Sequence, residues 1–206
     1  MKKLTFLISL LLLASNCKEK ETSFEEEIKM YQYVLNVQFA DKDRSPLLEE
    51  DRKVFKKLDF FSANESFKVI ADIELTPNSP SFEMKTNTER IPVFKKYAIA
   101  SFTIQGKKYK LGIYQEQKIA ASFDEDNQLF LPFYDQTNGI TTYGGGRYID
   151  LGLEEITTPT ITIDFNKAYN PYCVYNNKFS CPIPPVENTL PIEVNVGMKM
   201  FTKVKN

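Results

Sequence analysis

The chain has no histidine, no tryptophan and only three cysteines in 206 residues. Without histidine the commonest general base is gone, and with it every Ser-His and Cys-His nucleophile system. A serine-type hydrolase would need a lysine base, and no Ser-x-x-Lys run stands out beyond the N-terminal segment. Two thiols seven residues apart, Cys173 and Cys181, cannot complete a usual zinc tetrahedron without carboxylates. They also lack the tight Cys-x-x-Cys spacing of a redox pair. Charge of one sign is missing too: 26 basic side chains stand against 27 acidic ones. That balance removes the basic footprint on which nucleic-acid binding is built, so no nucleic-acid partner is expected. No metal and no cofactor is expected either.

What is present begins with a leader. Lys2 and Lys3 precede an apolar stretch over residues 4–13, which is too short to span a bilayer as a helix. Ala14 and Ser15 follow, and Cys17 stands where a bacterial lipoprotein is cleaved and acylated, although Asn16 occupies the place usually held by Ala, Gly or Ser. Residues 1–16 are read as a signal peptide, Cys17 as the lipidated residue, 17–22 as a tether and 23–206 as one β-rich domain. The expected address is a bacterial envelope membrane, reached by export and held through the lipid. Removing Cys17 to a lipid leaves Cys173 and Cys181 as an even pair, which in an oxidising compartment reads as a disulfide.

From Ser23, a helix N-cap, Phe24, Ile28, Tyr31, Leu35 and Phe39 recur at helical spacing behind Glu25, Glu26 and Glu27. A second short helix is predicted after Pro46, with Leu47, Val54, Phe55 and Leu58 on its apolar side. Beyond Phe60 the period becomes two. Strands are predicted around Phe67 to Ala71, at Phe82 to Met84, over 93–104 and 108–114 about a Gln105-Gly106-Lys107 turn, over 129–134 and 160–165, with one or two more in 190–204. Helices at the front and sequential strands behind give an α+β class with a mainly antiparallel, strongly curved or barrel-like sheet and one or two N-terminal helices.

Four constellations carry potential chemistry. Gly144-Gly145-Gly146-Arg147 offers free N–H groups and a guanidinium fork for an anion, or a tight turn whose Arg147 pairs with Asp150 or Asp164. It is neither a dinucleotide fingerprint nor a Walker loop. Asp135 and Asp164 are the paired-carboxylate candidates, with Asx-turn or cap roles as the alternative. Asn166, Tyr169, Asn170 and Asn188 form a polar cluster around the cysteine pair, fit either to satisfy irregular backbone or to bind a sugar or peptide with Tyr169, Tyr172 and Tyr175 as flat contact surfaces; Tyr143 and Gly145 are further ligand-binding candidates. Asp124-Glu125-Asp126-Asn127 lacks the glycine and terminal glutamate of a calcium loop and reads as an acidic hairpin turn.

Two segments, Phe133-Tyr134-Asp135-Gln136-Thr137-Asn138-Gly139 and Thr142-Tyr143-Gly144-Gly145-Gly146-Arg147-Tyr148, precede a third run, Asp164-Phe165-Asn166-Lys167-Ala168-Tyr169-Asn170-Pro171-Tyr172-Cys173 with Cys181-Pro182-Ile183-Pro184-Pro185. Together they resemble the bacterial family called domain of unknown function 1684, over essentially the whole chain after the leader. The family pattern usually ends in Ala-Gly-Glu; here Val196-Gly197-Met198 stands at that place. The resemblance implies a fold and an envelope lipoprotein, and no activity. The leading functional expectation is a lipid-anchored binding module for a glycan, a peptide or a small anionic ligand. The alternative is a carboxylate-dependent hydrolase or lyase on an anionic or glycan substrate, with Asp135 or Asp164 as base and Arg147 as anion clamp.

Overall fold

Helix α1 (Phe24–Ala40) opens the fold with a complete capping box. The Ser23 hydroxyl accepts from the Glu26 amide at 3.3 Å and the Glu26 carboxylate accepts from the Ser23 amide at 3.0 Å. A short helix α2 (Glu49–Val54) follows, and then, among the described residues, seven strands: β1 (Lys68–Leu75), β2 (Ser81–Glu83), β3 (Val93–Ile104), β4 (Lys107–Glu116), β5 (Gln128–Phe133), β6 (Arg147–Gly152) and β7 (Thr160–Asp164). This computed structural model describes residues 22–117, 128–156 and 159–203. Cys17 and the acidic turn at 124–127 lie outside the described residues.

The strands form one antiparallel sheet in the order β6-β5-β4-β3-β1-β7, with β2 paired to β3. It curls strongly into a half-barrel. The β3–β4 hairpin turns on Gln105 and Gly106, both at positive φ, as a two-residue turn matched to strand twist requires. The concave face buries Ala71, Ala98, Ala100, Ile113, Leu131, Phe133, Ile163 and Phe165 in one core. A second apolar cluster, Phe39, Leu47, Leu58, Tyr175 and Met198, ties the helical front to the C-terminal coil.

Strand β6 was not expected, because the glycine run before it reads as loop. Its Arg147 pairs across to Phe133 of β5 and its Tyr148 to Pro132. Among the described residues, no strand forms in the segment 190–203 where one or two were expected. Val194, Val196 and Met198 keep the period of two and are all buried, but their carbonyls do not join a ladder. Instead the Arg147 guanidinium donates to the carbonyls of Val196 (2.5 Å), Val194 (2.8 Å) and, more weakly, Met198 (3.4 Å), and to Asp135 Oδ2 at 2.8 Å. One side chain replaces a neighbouring strand as the donor row.

Asn188 does the same between β4 and β5, which share a single register pair, Tyr114 with Phe130. Its fully buried amide accepts from the Gly112 N–H (2.7 Å) and donates to the carbonyls of Gly112 (2.8 Å) and Pro132 (2.7 Å). A side chain at Gly112 would collide with the Tyr114 hydroxyl, so glycine keeps room for this insertion.

Both side chains of the Arg147–Asp135 pair are 0% exposed. Removing one partner strands a charge where water cannot reach it, so Arg147→Met is expected to cost about 3–5 kcal/mol in urea unfolding. Replacing both, as Asp135→Asn with Arg147→Met, should cost clearly less than the two single losses added together. Additive single effects would show that the two groups do not depend on each other.

Candidate functional site

The two edge strands, β6 and β7, end up facing one another because the half-barrel does not close. The chain after β7 narrows the seam: Tyr148 and Tyr169 exchange backbone hydrogen bonds, each at 3.0 Å. Helix α1 lies across what remains. The result is a cleft of about 900 Å³. Glu27, Tyr31, Leu35, Gln38 and Phe39 of α1 form one wall, Tyr148 to Leu151 of β6 and Thr162 and Asp164 of β7 line it, and Tyr169, Tyr172, Phe179, Cys181 and Pro182 complete the rim.

The helix is pinned by charge. Glu27 takes Lys167 on one oxygen at 2.7 Å and Lys68 on the other at 2.9 Å, and these two lysines hold its carboxyl below the usual range. One turn on, the Tyr31 hydroxyl donates to the Lys167 carbonyl at 2.8 Å. The period-3.6 stripe read as core therefore divides: Ile28 and Phe39 are buried, while Tyr31 and Leu35 are only partly covered and look into the cleft.

Asp150 is the most unusual group in the cleft. It is open to solvent at the surface of the groove yet crowded by protein on most sides, and that burial pushes its carboxyl above the ordinary range. The Tyr169 hydroxyl, which donates toward both oxygens at 2.7 and 2.8 Å, is the one opposing influence. Burial and the Asp150 charge in turn drive the Tyr169 phenol well above its own range. No ion pair reaches Asp150 among the described residues.

The residues singled out from sequence fall into two groups. Asp164, Tyr169 and Asn170 line the cleft. Asp135, Arg147, Asn166 and Asn188 are buried away from it, and Tyr143 and Gly145 are not among its lining residues. Arg147 pairs with Asp135, not with Asp150 or Asp164, so the buried guanidinium has no face on the cleft from which to hold an anion. Asp135 Oδ1 accepts from the Thr137 amide at 2.8 Å and from its hydroxyl, an Asx turn locked from below. Asn166 exchanges hydrogen bonds with the backbone of Asn64 (2.8 and 3.0 Å) and so stands in for a strand partner. The glycine run is a packing device: at Gly146, φ +87°, a Cβ would strike the Phe133 carbonyl and Pro184, and at Gly145 it would strike the Tyr143 ring.

The expected disulfide is not formed. Cys173 and Cys181 are free thiols, and the Cys173 amide donates to Cys181 Sγ at 3.1 Å. The neighbouring Cys173 pulls the Cys181 thiol down, while Cys181 beside it and burial push the Cys173 thiol up. The tight turn at 172–174 aims the Cys173 amide at the Cys181 sulfur. No group of three or more Cys, Asp or Glu is placed to hold a metal among the described residues.

Sequence reasoning missed Asp150, Tyr31, Lys68, Lys167 and Glu27 as one site. Asp150 was legible only as a partner for Arg147, three residues away on β6. The signal for the others would have been topological, since the cleft exists only where two edges of one sheet meet under a helix.

A sequence profile of the family described as "protein of unknown function (DUF1684)" matches residues 53–199. The chain belongs to this family. A solution NMR structure of an uncharacterized protein from Haloarcula marismortui is 30% identical to this DUF1684 chain, covering 85% of it and 93% of the other, with a TM-score of 0.65. Comparison with curated proteins finds no match. The DUF1684 profile thus spans both edge strands and the Cys173–Cys181 rim of the cleft, while α1 lies before it.

Asp150 gives a pH test. Its folded pKa lies above its unfolded value, so at low pH both states are protonated and the group adds nothing. As pH rises through the unfolded value, the unfolded chain releases the proton first and stability falls until the folded pKa is passed. Asp150→Asn is therefore expected to raise the thermal midpoint at neutral pH, the gain vanishing below about pH 4. A pH series by scanning calorimetry in which the variant melts no higher at neutral pH would remove the burial penalty from the account.

Proposed function

We propose that this domain is a ligand-binding module whose site is the seam cleft between α1 and the two sheet edges. One observation supports this above the others: a solvent-accessible carboxylate, Asp150, is held by a tyrosine hydroxyl inside a crowded, aromatic-lined groove large enough for a small organic molecule. Groups whose stability suffers from their placement are typical of sites that do something for a partner. The hydrolase or lyase alternative loses its proposed machinery, because Arg147 and Asp135 are sealed together away from the cleft. A reaction in this domain would have to run through Asp150 and Asp164 instead.

The test is a fragment screen by two-dimensional NMR on the full chain. Hits are expected to move the amide signals of Tyr31, Asp150 and Tyr169, and Thr162→Trp, which fills the groove from an exposed position on β7, should abolish them. Hits that cluster elsewhere and ignore Thr162→Trp would sink the cleft as the site.

In the same reading residues 1–16 direct export to a bacterial envelope, Cys17 carries lipid and 17–22 tether the domain. The leader pattern Lys2-Lys3, the apolar stretch at 4–13 and Cys17 support this, and α1 starts with its cap at Ser23, directly after the segment read as the tether. Cys17→Ser should move the protein from the membrane fraction to the soluble one. Retention of the variant on the membrane would refute lipid anchoring.

A further inference from the structure

Resting on the cleft as a binding site, the charge and hydrogen-bond inventory of its walls narrows the ligand. Four carboxylates, Glu27, Asp150, Glu155 and Asp164, face two ammonium groups, Lys68 and Lys167. Both lysines are committed to Glu27. Asp150 and Asp164 have no cation within ion-pair distance among the described residues. Asp164 is 6% exposed; its Oδ1 accepts from the Asn166 amide (2.9 Å) and side chain (2.8 Å), but its Oδ2 has no partner. Its field reaches both Tyr31 and Lys68, which line the same cleft. Asn170, 1% exposed and also a lining residue, likewise leaves its Oδ1 without a donor.

Several of the hydroxyl and amide donors nearby are already engaged. Tyr31 donates to the Lys167 carbonyl, Tyr148 to the Pro182 carbonyl, Tyr169 to Asp150, and Gln38 to the Tyr172 hydroxyl at 2.8 Å. Tying up these phenols leaves their ring faces as the available surface. The walls thus offer unpaired acceptors, an excess of negative charge and aromatic rings, and both of their ammonium groups are held by Glu27.

We infer that the cleft is built for a small organic ammonium ion, with Asp150 as its counter-ion and the tyrosine rings packed around its carbon body. A buried carboxylate without a counter-charge is unfavourable, and a cation with N–H donors relieves it in a way that a neutral hydroxyl cannot. Ring faces add attraction for the same charge. An anionic ligand, among those expected from the sequence, would meet the uncompensated field of Asp150 and Asp164.

The experiment compares three molecules of one chain length on the full protein at neutral pH: cadaverine, the corresponding pentane diol and glutarate, followed by two-dimensional NMR. Cadaverine should move the signals of Tyr31, Asp150 and Tyr169, while the diol and glutarate should not. Asp150→Asn, which keeps the shape and the acceptor for Tyr169, should weaken cadaverine at least about ten-fold. Should that variant fold poorly, Thr162→Lys places an ammonium on the cleft wall and should also exclude cadaverine. A diol that binds as well as cadaverine, or preferred glutarate, overturns the ammonium assignment and leaves the cleft standing as a site. Cadaverine binding that ignores both variants, or a cleft that takes fragments but not cadaverine, overturns it too.

Discussion

The Arg147–Asp135 pair is the constraint on which the rest of the architecture hangs. Arg147 begins β6, Asp135 follows β5, and the guanidinium also holds the extended segment through Val194, Val196 and Met198. Three stretches far apart in sequence meet at one planar fork. Burial pulls the Arg147 pKa down while the Asp135 carboxylate beside it pushes it back up. A lysine could neutralise Asp135 but could not present donors to several carbonyls in one plane. An apolar replacement of the pair could fill the volume, yet the carbonyls of the C-terminal segment would then lack donors.

The half-barrel and the cleft are two aspects of one geometry. A sheet that closed fully would pair β6 with β7 and leave no edge. Here the backbone after β7 meets that of β6 at the Tyr148–Tyr169 bridge, and α1 covers the remaining opening without filling it. Side chains at the seam thus face a concavity on the sheet's own edges. Asp150 and Asp164 belong to opposite edges of the sheet, and only curvature brings them to one cleft.

What sequence revealed and what it hid follow the same division. Local signals were readable: the Ser23 cap, the Gln105-Gly106 hairpin and the alternation of β1 and β3 all depend on neighbours in the chain. The curled, mainly antiparallel α+β class followed from element order. The period of two in 190–204 was read as strand, because burial alternates there as it would in one; the carbonyls go to a guanidinium, which periodicity cannot report. β6 was hidden behind a glycine run that does its work by close packing on Phe133 and Pro184. At the site, residue type misled. The glycine–arginine run and Asp135 look like chemistry and are scaffold, whereas Asp150 looks like scaffold and faces the cleft. Polarity alone does not distinguish a satisfied buried charge from an accessible one short of a counter-ion; that difference lies in partners 12 to 140 residues away.

The placement of α1 bears on how such a site would diversify. The DUF1684 match covers 53–199, which includes Asp150, Asp164, Tyr169 and both lysines that hold Glu27, but not the helix. The matched segment therefore carries the carboxylates and the sheet edges, and the preceding helix carries Glu27, Tyr31, Leu35, Gln38 and Phe39 of the opposite wall. The helix depends on the matched segment for its seat, through Lys68, Lys167 and the Lys167 carbonyl. The main core of the half-barrel and its Arg147–Asp135 lock, for their part, contain no residue of the helix. Side chains on the cleft-facing stripe of α1 can thus change the width and polarity of the groove without touching the interactions that hold the sheet. Substitutions of Asp150 act on the charge of the floor, and substitutions of Tyr31 or Leu35 act on its shape, so the two properties are separable in the same cleft.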